Sequence, residues 1–144
     1  MIIITAIIAL NEVLDEGLPL HPLREQQETV KDWRQIGLGI MGLADMLIKM
    51  KIRYGSSESI EICNQIGYTM ANTAISISAE LAYEKGAYPK CKPCVMRSDF
   101  FLKNTSEYTR DKVRAYGLCN SQLLTTAPTG TISSMLGISG GIEP

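Results

Sequence analysis

The residues best suited to chemistry lie near the C-terminus. There Ser121-Gln122-Leu123-Leu124-Thr125-Thr126-Ala127 runs into Pro128-Thr129-Gly130-Thr131-Ile132-Ser133. The chemistry they suit is the holding of a phosphate. Pro128 cannot continue a hydrogen-bonded ladder. Gly130 allows close approach of a ligand or a positive φ. The hydroxyls of Thr129, Thr131 and Ser133 can donate to phosphate oxygens. If 131–136 opens a helix, its free N–H groups point at the same anion. The alternative is a Ser/Thr-rich turn that caps a short helix with its own side chains. No Lys comes after the glycines, so the loop is not a Walker pattern.

Two further constellations invite a chemical reading. Gly37-Leu38-Gly39-Ile40-Met41-Gly42 matches the dinucleotide pattern G-x-G-x-x-G. That pattern needs a strand before it and a helix opening at it. The preceding Thr29 to Ile36 has helical period and several charges, so these glycines read as close packing or a bend inside a helix. Cys91-Lys92-Pro93-Cys94 is a C-x-x-C in a proline-flanked stretch, which favours two chance cysteines in a loop. A thiol-redox or zinc site on this pair is the alternative. Zinc needs two more ligands, and only Cys63, Cys119 and His21 are on offer, at no recognisable spacing. No metal site is expected. Asp45 reads as an exposed helix acid with no chemistry, and the role of Glu143 is open.

The elements that position these residues are read from periodicity. Residues 4–16 are mixed apolar and acidic and read as a helix, ended by Gly17, Pro19 and Pro22. From Arg24 to Met50, apolar residues at Val30, Trp33, Ile36, Ile40, Leu43, Ala44, Leu47 and Ile48 recur by threes and fours, which predicts one amphipathic helix. A third helix starts at Ser56 or Ser57 and ends with Lys85 and Gly86. Its stripe of Ile60, Cys63, Ile66, Gly67, Met70, Ala74, Ile77 and Leu81 is rich in small residues, so it should pack closely. Residues 87–105 read as irregular. A short helix is expected at 106–116, closed by Gly117, and then a buried strand at 121–127. One strand has no sheet to complete, so the chain reads as a piece of a larger α/β domain.

The 144 residues fit one domain at most. With 45% hydrophobic and 20% charged residues, the chain can bury a core. Fourteen basic against 15 acidic residues leave a net charge of −1, which gives no support for a nucleic-acid or anionic-membrane surface. The apolar run Met1 to Leu10 lacks a basic flank, so a signal peptide is not expected. Four cysteines without a secretion signal read as reduced thiols in a cytoplasm.

Several stretches together resemble one family. Arg34-Gln35-Ile36-Gly37-Leu38-Gly39-Ile40-Met41-Gly42-Leu43-Ala44-Asp45 is similar to a block of ribonucleotide reductase large subunits. Tyr54-Gly55-Ser56 and Glu84-Lys85-Gly86-Ala87-Tyr88-Pro89 recur downstream in that family. Asn120 to Ser133 resembles its substrate-phosphate strand and loop, and Gly140-Gly141-Ile142-Glu143-Pro144 resembles the family's next block. The ordered set covers roughly residues 9–144.

The resemblance implies a helix-rich fragment of a ten-stranded α/β barrel, mostly helical when alone. Residues 1–144 would be a partial barrel domain, helical over about 4–116, with strand and phosphate loop at about 121–136. It implies reduction of ribonucleotides to 2′-deoxyribonucleotides by thiyl-radical chemistry. It assigns Pro128, Thr129, Gly130, Thr131, Ile132 and Ser133 to the substrate phosphates. The family's radical motif, Asn-x-Cys-x-Glu, is not found, so no catalytic residue is assigned and the chain alone is expected to be inactive. Cys119 stands where relatives often have a basic residue. The implied partners are a ribonucleoside di- or triphosphate, the rest of the large subunit and a possible small subunit. The parent's radical would come from adenosylcobalamin or a metal-containing small subunit, neither held here. The isolated chain is expected to self-associate. The other readings are a non-enzymatic helical interaction module and the thiol-redox or zinc protein on Cys91 and Cys94.

Overall fold

Helix-forming stretches punctuated by glycine, proline and serine caps account for most of the chain. The computed structural model describes residues 1–144 and contains seven α-helices and two 3-10 turns. These are α1 (Ile2–Gly17), α2 (Arg24–Trp33), α3 (Leu43–Lys49), α4 (Ser57–Lys85), α5 (Asp99–Asn104), α6 (Glu107–Tyr116) and α7 (Gly130–Leu136), with 3-10 turns at Leu18–Leu20 and Pro93–Arg97. The chain divides into two compact units. One comprises Met1–Gly37 and Tyr68–Leu124, the other Leu38–Gly67 and Thr125–Pro144.

In the first unit, the small residues of α4 do what their size suggests. Ala71, Ala74, Ser78, Ala79 and Ala82 are buried, with Ile75, Ile77 and Leu81 beside them. Ile7 of α1 has no exposed surface. Burying such a side chain stabilises the fold by about 1.5–3 kcal/mol. Asn72 of α4 accepts from Ser106 N (2.8 Å) and Thr109 Oγ1 (2.9 Å), which fixes the start of α6. Ser106 itself accepts from Thr109 N, and Ser98 accepts from Phe101 N to cap α5. Arg110 closes the end of α5 by donating to Leu102 O (2.6 Å) and Thr105 O (2.7 Å).

In the second unit, Leu43, Ala44 and Leu47 of α3 form the buried apolar face, with Ser59, Ser133 and Gly141 also buried. Ser56 accepts from Ser59 N (3.2 Å) and so caps α4, as the sequence suggests.

Three expectations are corrected. The α/β class is the first. The protein is helical, with no strand, no sheet and no barrel; in the stretch read as a buried strand, only the single residue Leu124 is a bridge. The reason is missing partners. In the first unit, Ser121 N donates to Trp33 O (3.0 Å) and Ile36 N to Gln122 O (3.1 Å). One side of this pairing advances three residues while the other advances one, so no regular ladder forms. A two-stranded pairing with one face exposed has little independent stability.

The second correction concerns 24–50, which is not one helix. Arg34 adopts a left-handed conformation (φ 45°) and stops α2, and residues 34–42 are not helical before α3 begins. The glycine series is therefore not inside a helix. A Cβ at Gly39 would lie 2.7 Å from Thr125 O, so the glycine serves close backbone approach. Third, residues 87–105 are more ordered than their composition suggests, holding the Pro93–Arg97 turn and α5.

Candidate functional site

The C-terminal loop is held from within the second unit. Thr125 N donates to Leu38 O (3.0 Å), and the chain then runs without regular structure to Pro128. Thr129 takes the left-handed conformation (φ 52°, ψ 28°) and starts α7, with Ser133 N donating to its carbonyl (2.9 Å). The positive φ expected near this turn falls on Thr129, not on Gly130. A non-glycine residue there is uncommon and needs support. The support is Gly141 N, which donates to Thr129 Oγ1 (2.8 Å).

Gly140 and Gly141 make that bond possible. A Cβ at 140 would lie 2.9 Å from Pro128 O, and one at 141 would lie 2.7 Å from Ala127 O. The segment just before them is fixed in turn. Gly42 N donates to Ser139 O (2.9 Å), and Ser139 N donates to Asp45 Oδ2 (2.5 Å). That amide bond, first among the causes, holds the Asp45 carboxyl below the usual range. Tyr54 OH donates to Ile142 O (2.6 Å). Sequence reasoning assigned Asp45 no task and missed Gly140 and Gly141 as packing residues; the paired glycines were the available signal.

The six predicted site residues fall into three groups. The N–H groups of Gly130, Thr131 and Ile132 open α7 and have no acceptor in the protein. The Thr131 side chain is exposed and makes no hydrogen bond, and a Cβ at Gly130 would meet only open space. Thr129 Oγ1 already accepts a bond, although its proton is free to donate. Ser133 is buried and donates to Gly130 O (3.1 Å), so its hydroxyl serves the helix itself. Pro128 contributes shape, and Ile132 is half exposed.

A second polar cluster, in the first unit, was not foreseen. Asn11 and Asn120 are buried, and Asn120 Nδ2 donates to Asn11 Oδ1 (2.8 Å) and Arg34 O (2.9 Å). Ser78 Oγ donates to Asn120 Oδ1 (3.1 Å). Arg34 pairs with Asp15 (2.6 Å), and Lys85 with Glu12 (2.7 Å) and Asp15 (2.9 Å). Burial pushes the Asp15 carboxyl up, but its bonds from Arg34 and Lys85 outweigh that and hold it below the usual value. Cys119 is fully buried, and burial pushes its thiol up against the opposing pull of Arg34. This is the environment of an inert structural thiol. Nowhere do three or more His, Cys, Asp or Glu side chains converge as a metal site would need. No helix is long and apolar enough to cross a membrane. The glycine series Gly37 to Gly42 comes after a helix rather than a strand, with Gly39 close against Thr125 O and Gly42 against the Ile138 side chain, which does not fit a dinucleotide cradle.

Comparison with known proteins places this geometry in context. The family described as "Ribonucleotide reductase, barrel domain" matches residues 2–144. The chain is 30% identical to the ribonucleoside-diphosphate reductase subunit alpha of Chlamydia pneumoniae, over 96% of this chain and 15% of that protein. It is 34% identical to the vitamin B12-dependent ribonucleoside-diphosphate reductase of Thermoplasma acidophilum, over 97% of this chain and 16% of that protein. It is 31% identical to the ribonucleoside-diphosphate reductase large subunit of Danio rerio, over 94% of this chain and 18% of that protein. The chain thus spans less than a fifth of the length of these relatives.

Proposed function

Because the chain belongs to the ribonucleotide reductase barrel-domain family, we propose that it is a segment of an enzyme that reduces ribonucleoside diphosphates to 2′-deoxyribonucleotides. The observation that carries the reading is the family match over residues 2–144. The diphosphate is the substrate class in the relatives' names. Within this reading, Pro128, Thr129, Gly130, Thr131, Ile132 and Ser133 form the substrate-phosphate loop. Three free amides at the start of α7 and the free Thr131 hydroxyl support it, because amides that converge without acceptors favour an anion. Thr129 and Ser133 then shape the loop rather than supply most of its donors.

The loop would act by positioning. Holding the diphosphate at one end fixes where the ribose lies for chemistry on other parts of the parent protein. The chain carries no Asn-x-Cys-x-Glu, so the thiyl chemistry belongs to those other parts. The rest of the large subunit is the obligatory partner, and a small subunit or adenosylcobalamin is the radical source.

Titration of the 144-residue chain with CDP and with pyrophosphate, monitored through backbone amides by NMR, tests the loop. The expected result is weak, saturable shifts confined to 128–134 and lost in a Thr129→Ala/Thr131→Ala double variant. A folded chain that shows no shifts, or shows them at Gly37 to Gly42, overturns the assignment.

A further inference from the structure

The first unit holds a hollow beside the end of α6 that the phosphate reading does not use. Tyr88 N donates to Leu118 O (2.9 Å), which pins the stretch before the Pro93–Arg97 turn against the residue pair that follows α6. Cys91 N donates to Tyr88 O (2.8 Å), and Val95 N donates to Lys92 O (3.2 Å), so the chain leaves this anchor through two tight turns. Gly117 lies opposite with a positive φ of 75°. A Cβ there would stand 2.9 Å from the Ala87 Cβ and 3.8 Å from Cys91 Sγ. Glycine satisfies both constraints, and with no side chain at 117 the space between the segments stays open.

That space is a cavity of about 230 Å³. Val113 and Leu118 are its buried apolar members, Cys91 and Met96 are half-buried, and Lys92 and Arg114 are exposed. Long basic side chains lay their stems along apolar surface and keep their charged ends in water. Lys92 and Arg114 therefore bring two positive charges to an otherwise apolar hollow, and no carboxylate lines it. Lys92 takes part in none of the protein's ion pairs, and Arg114 pairs only with exposed Asp111. Charge sets this cavity apart within its unit. One of about 270 Å³ between α4, α5 and residues 120–124, and one of about 520 Å³ beside α1 and Pro22, are larger, yet neither has an Asp, Glu, Lys or Arg in its lining. Size then limits the ligand. An apolar cavity of about 150 Å³ accommodates benzene, and drug-sized ligands occupy roughly 300–1,000 Å³. The hollow here lies between the two, which suits one ring with a short chain.

We propose that this cavity binds a small amphiphilic carboxylate, with its ring or branched alkyl group on Val113 and Leu118 and its carboxylate at Lys92 and Arg114. The apolar part gives affinity by leaving water. The two cations select the anion over neutral and cationic analogues of the same shape. The 128–133 loop belongs to the second unit and takes no part. No bond is made or broken. Cys91 acts as a reporter, because a ligand in the cavity covers a thiol that lines it, whereas exposed Cys94 is not in the lining.

The test titrates the intact chain with 3-phenylpropionate, 3-phenylpropanol and 3-phenylpropylamine, followed by backbone-amide NMR. In parallel, N-ethylmaleimide labelling is resolved cysteine by cysteine by tandem mass spectrometry. The acid should give saturable shifts at 91–96 and 113–118, bind several-fold more tightly than the alcohol, and bind more tightly still relative to the amine. It should slow labelling of Cys91 several-fold and leave Cys94 unchanged. A Lys92→Gln/Arg114→Gln double variant alters only exposed side chains, so its fold is kept; the acid should then bind no better than the alcohol, whose affinity stays the same. Cys91→Leu fills part of the hollow and should weaken acid and alcohol alike. Absence of saturable shifts with the acid, shifts centred outside these two stretches, or equal protection of Cys91 and Cys94 overturns the site. Equal affinity for acid and alcohol in the unaltered chain overturns the anionic selectivity.

Discussion

Replacing Asn120 with alanine isolates what the buried polar cluster contributes. The side chain makes four hydrogen bonds, to Asn11 Oδ1, Arg34 O, Ser78 Oγ and Asn11 Nδ2. Most of the partners keep another bond after truncation. Asn11 Nδ2 retains Ile7 O (2.9 Å), Asn11 Oδ1 retains Arg34 Nη2 (3.2 Å), and Ser78 Oγ retains Asn120 N (3.1 Å). Only the Arg34 carbonyl is stranded. A stranded buried polar group costs about 1–3 kcal/mol, and each lost bond with a remaining alternative costs less. The expected destabilisation is therefore about 2–3 kcal/mol, a large fraction of a typical domain's stability of about 5–15 kcal/mol. Urea unfolding monitored by far-UV circular dichroism reads it as a lower midpoint at unchanged slope. Asn120→Asp should cost no less than alanine, because a carboxylate oxygen would face Asn11 Oδ1 and Arg34 O. Ser121→Ala is the control. Its buried Oγ has no partner, so removing it should change stability by no more than about 0.5 kcal/mol or improve it. A loss below about 0.5 kcal/mol for Asn120→Ala would refute the accounting, because its least expected term is larger.

Other residues of the same structure carry their own tests. Gly141→Ala should displace the loop, since its φ of +49° is unfavourable for alanine by roughly 1–2 kcal/mol and its Cβ would meet Ala127 O at 2.7 Å; unchanged amide shifts at 127–131 would contradict this. Gly130→Ala meets nothing within 4 Å and should leave the fold intact, yet weaken pyrophosphate binding if the ligand approaches that backbone closely. Asp15 is held below 3.8, so its ion pairs contribute stability above that pH and lose it as pH falls through the lowered value. An NMR titration should show Lys85→Met moving Asp15 upward, and no movement would exclude Lys85 as a cause. Asp45→Ala should speed amide exchange at Ser139, whose N–H then lacks its acceptor; unchanged exchange would show that the bond does not hold this segment.

Local patterns in the sequence carried the helices whose ends are set locally. Ser56 before α4, Gly86 after it, and Gly117 after α6 each act on neighbouring residues, and the structure uses them that way. The break between Trp33 and Leu43 was not legible, because apolar spacing by threes and fours continues through it. It begins where Arg34 turns left-handed, and beyond it Gly39 lies against Thr125 O, far away along the chain. Likewise 121–127 has the composition of a strand, and composition does not supply the neighbouring strands that a ladder requires.

The candidate site repeats this division between local and distant causes. Its hydroxyls were visible in the sequence, but their commitments were not. Thr129 Oγ1 receives Gly141 N, and Ser133 Oγ donates to Gly130 O, so neither is a wholly uncommitted group waiting for a ligand. Deleting hydroxyls one at a time would therefore mislead. Ser133→Ala removes a bond internal to α7 and should disturb that helix first, whereas Thr131→Ala removes an exposed group with no protein partner. The main donors, the amides of 130–132, have no side chain to delete. Their part is separable only by moving the backbone that aims them, and that makes Gly141 a sharper probe of the phosphate reading than any serine or threonine in the loop.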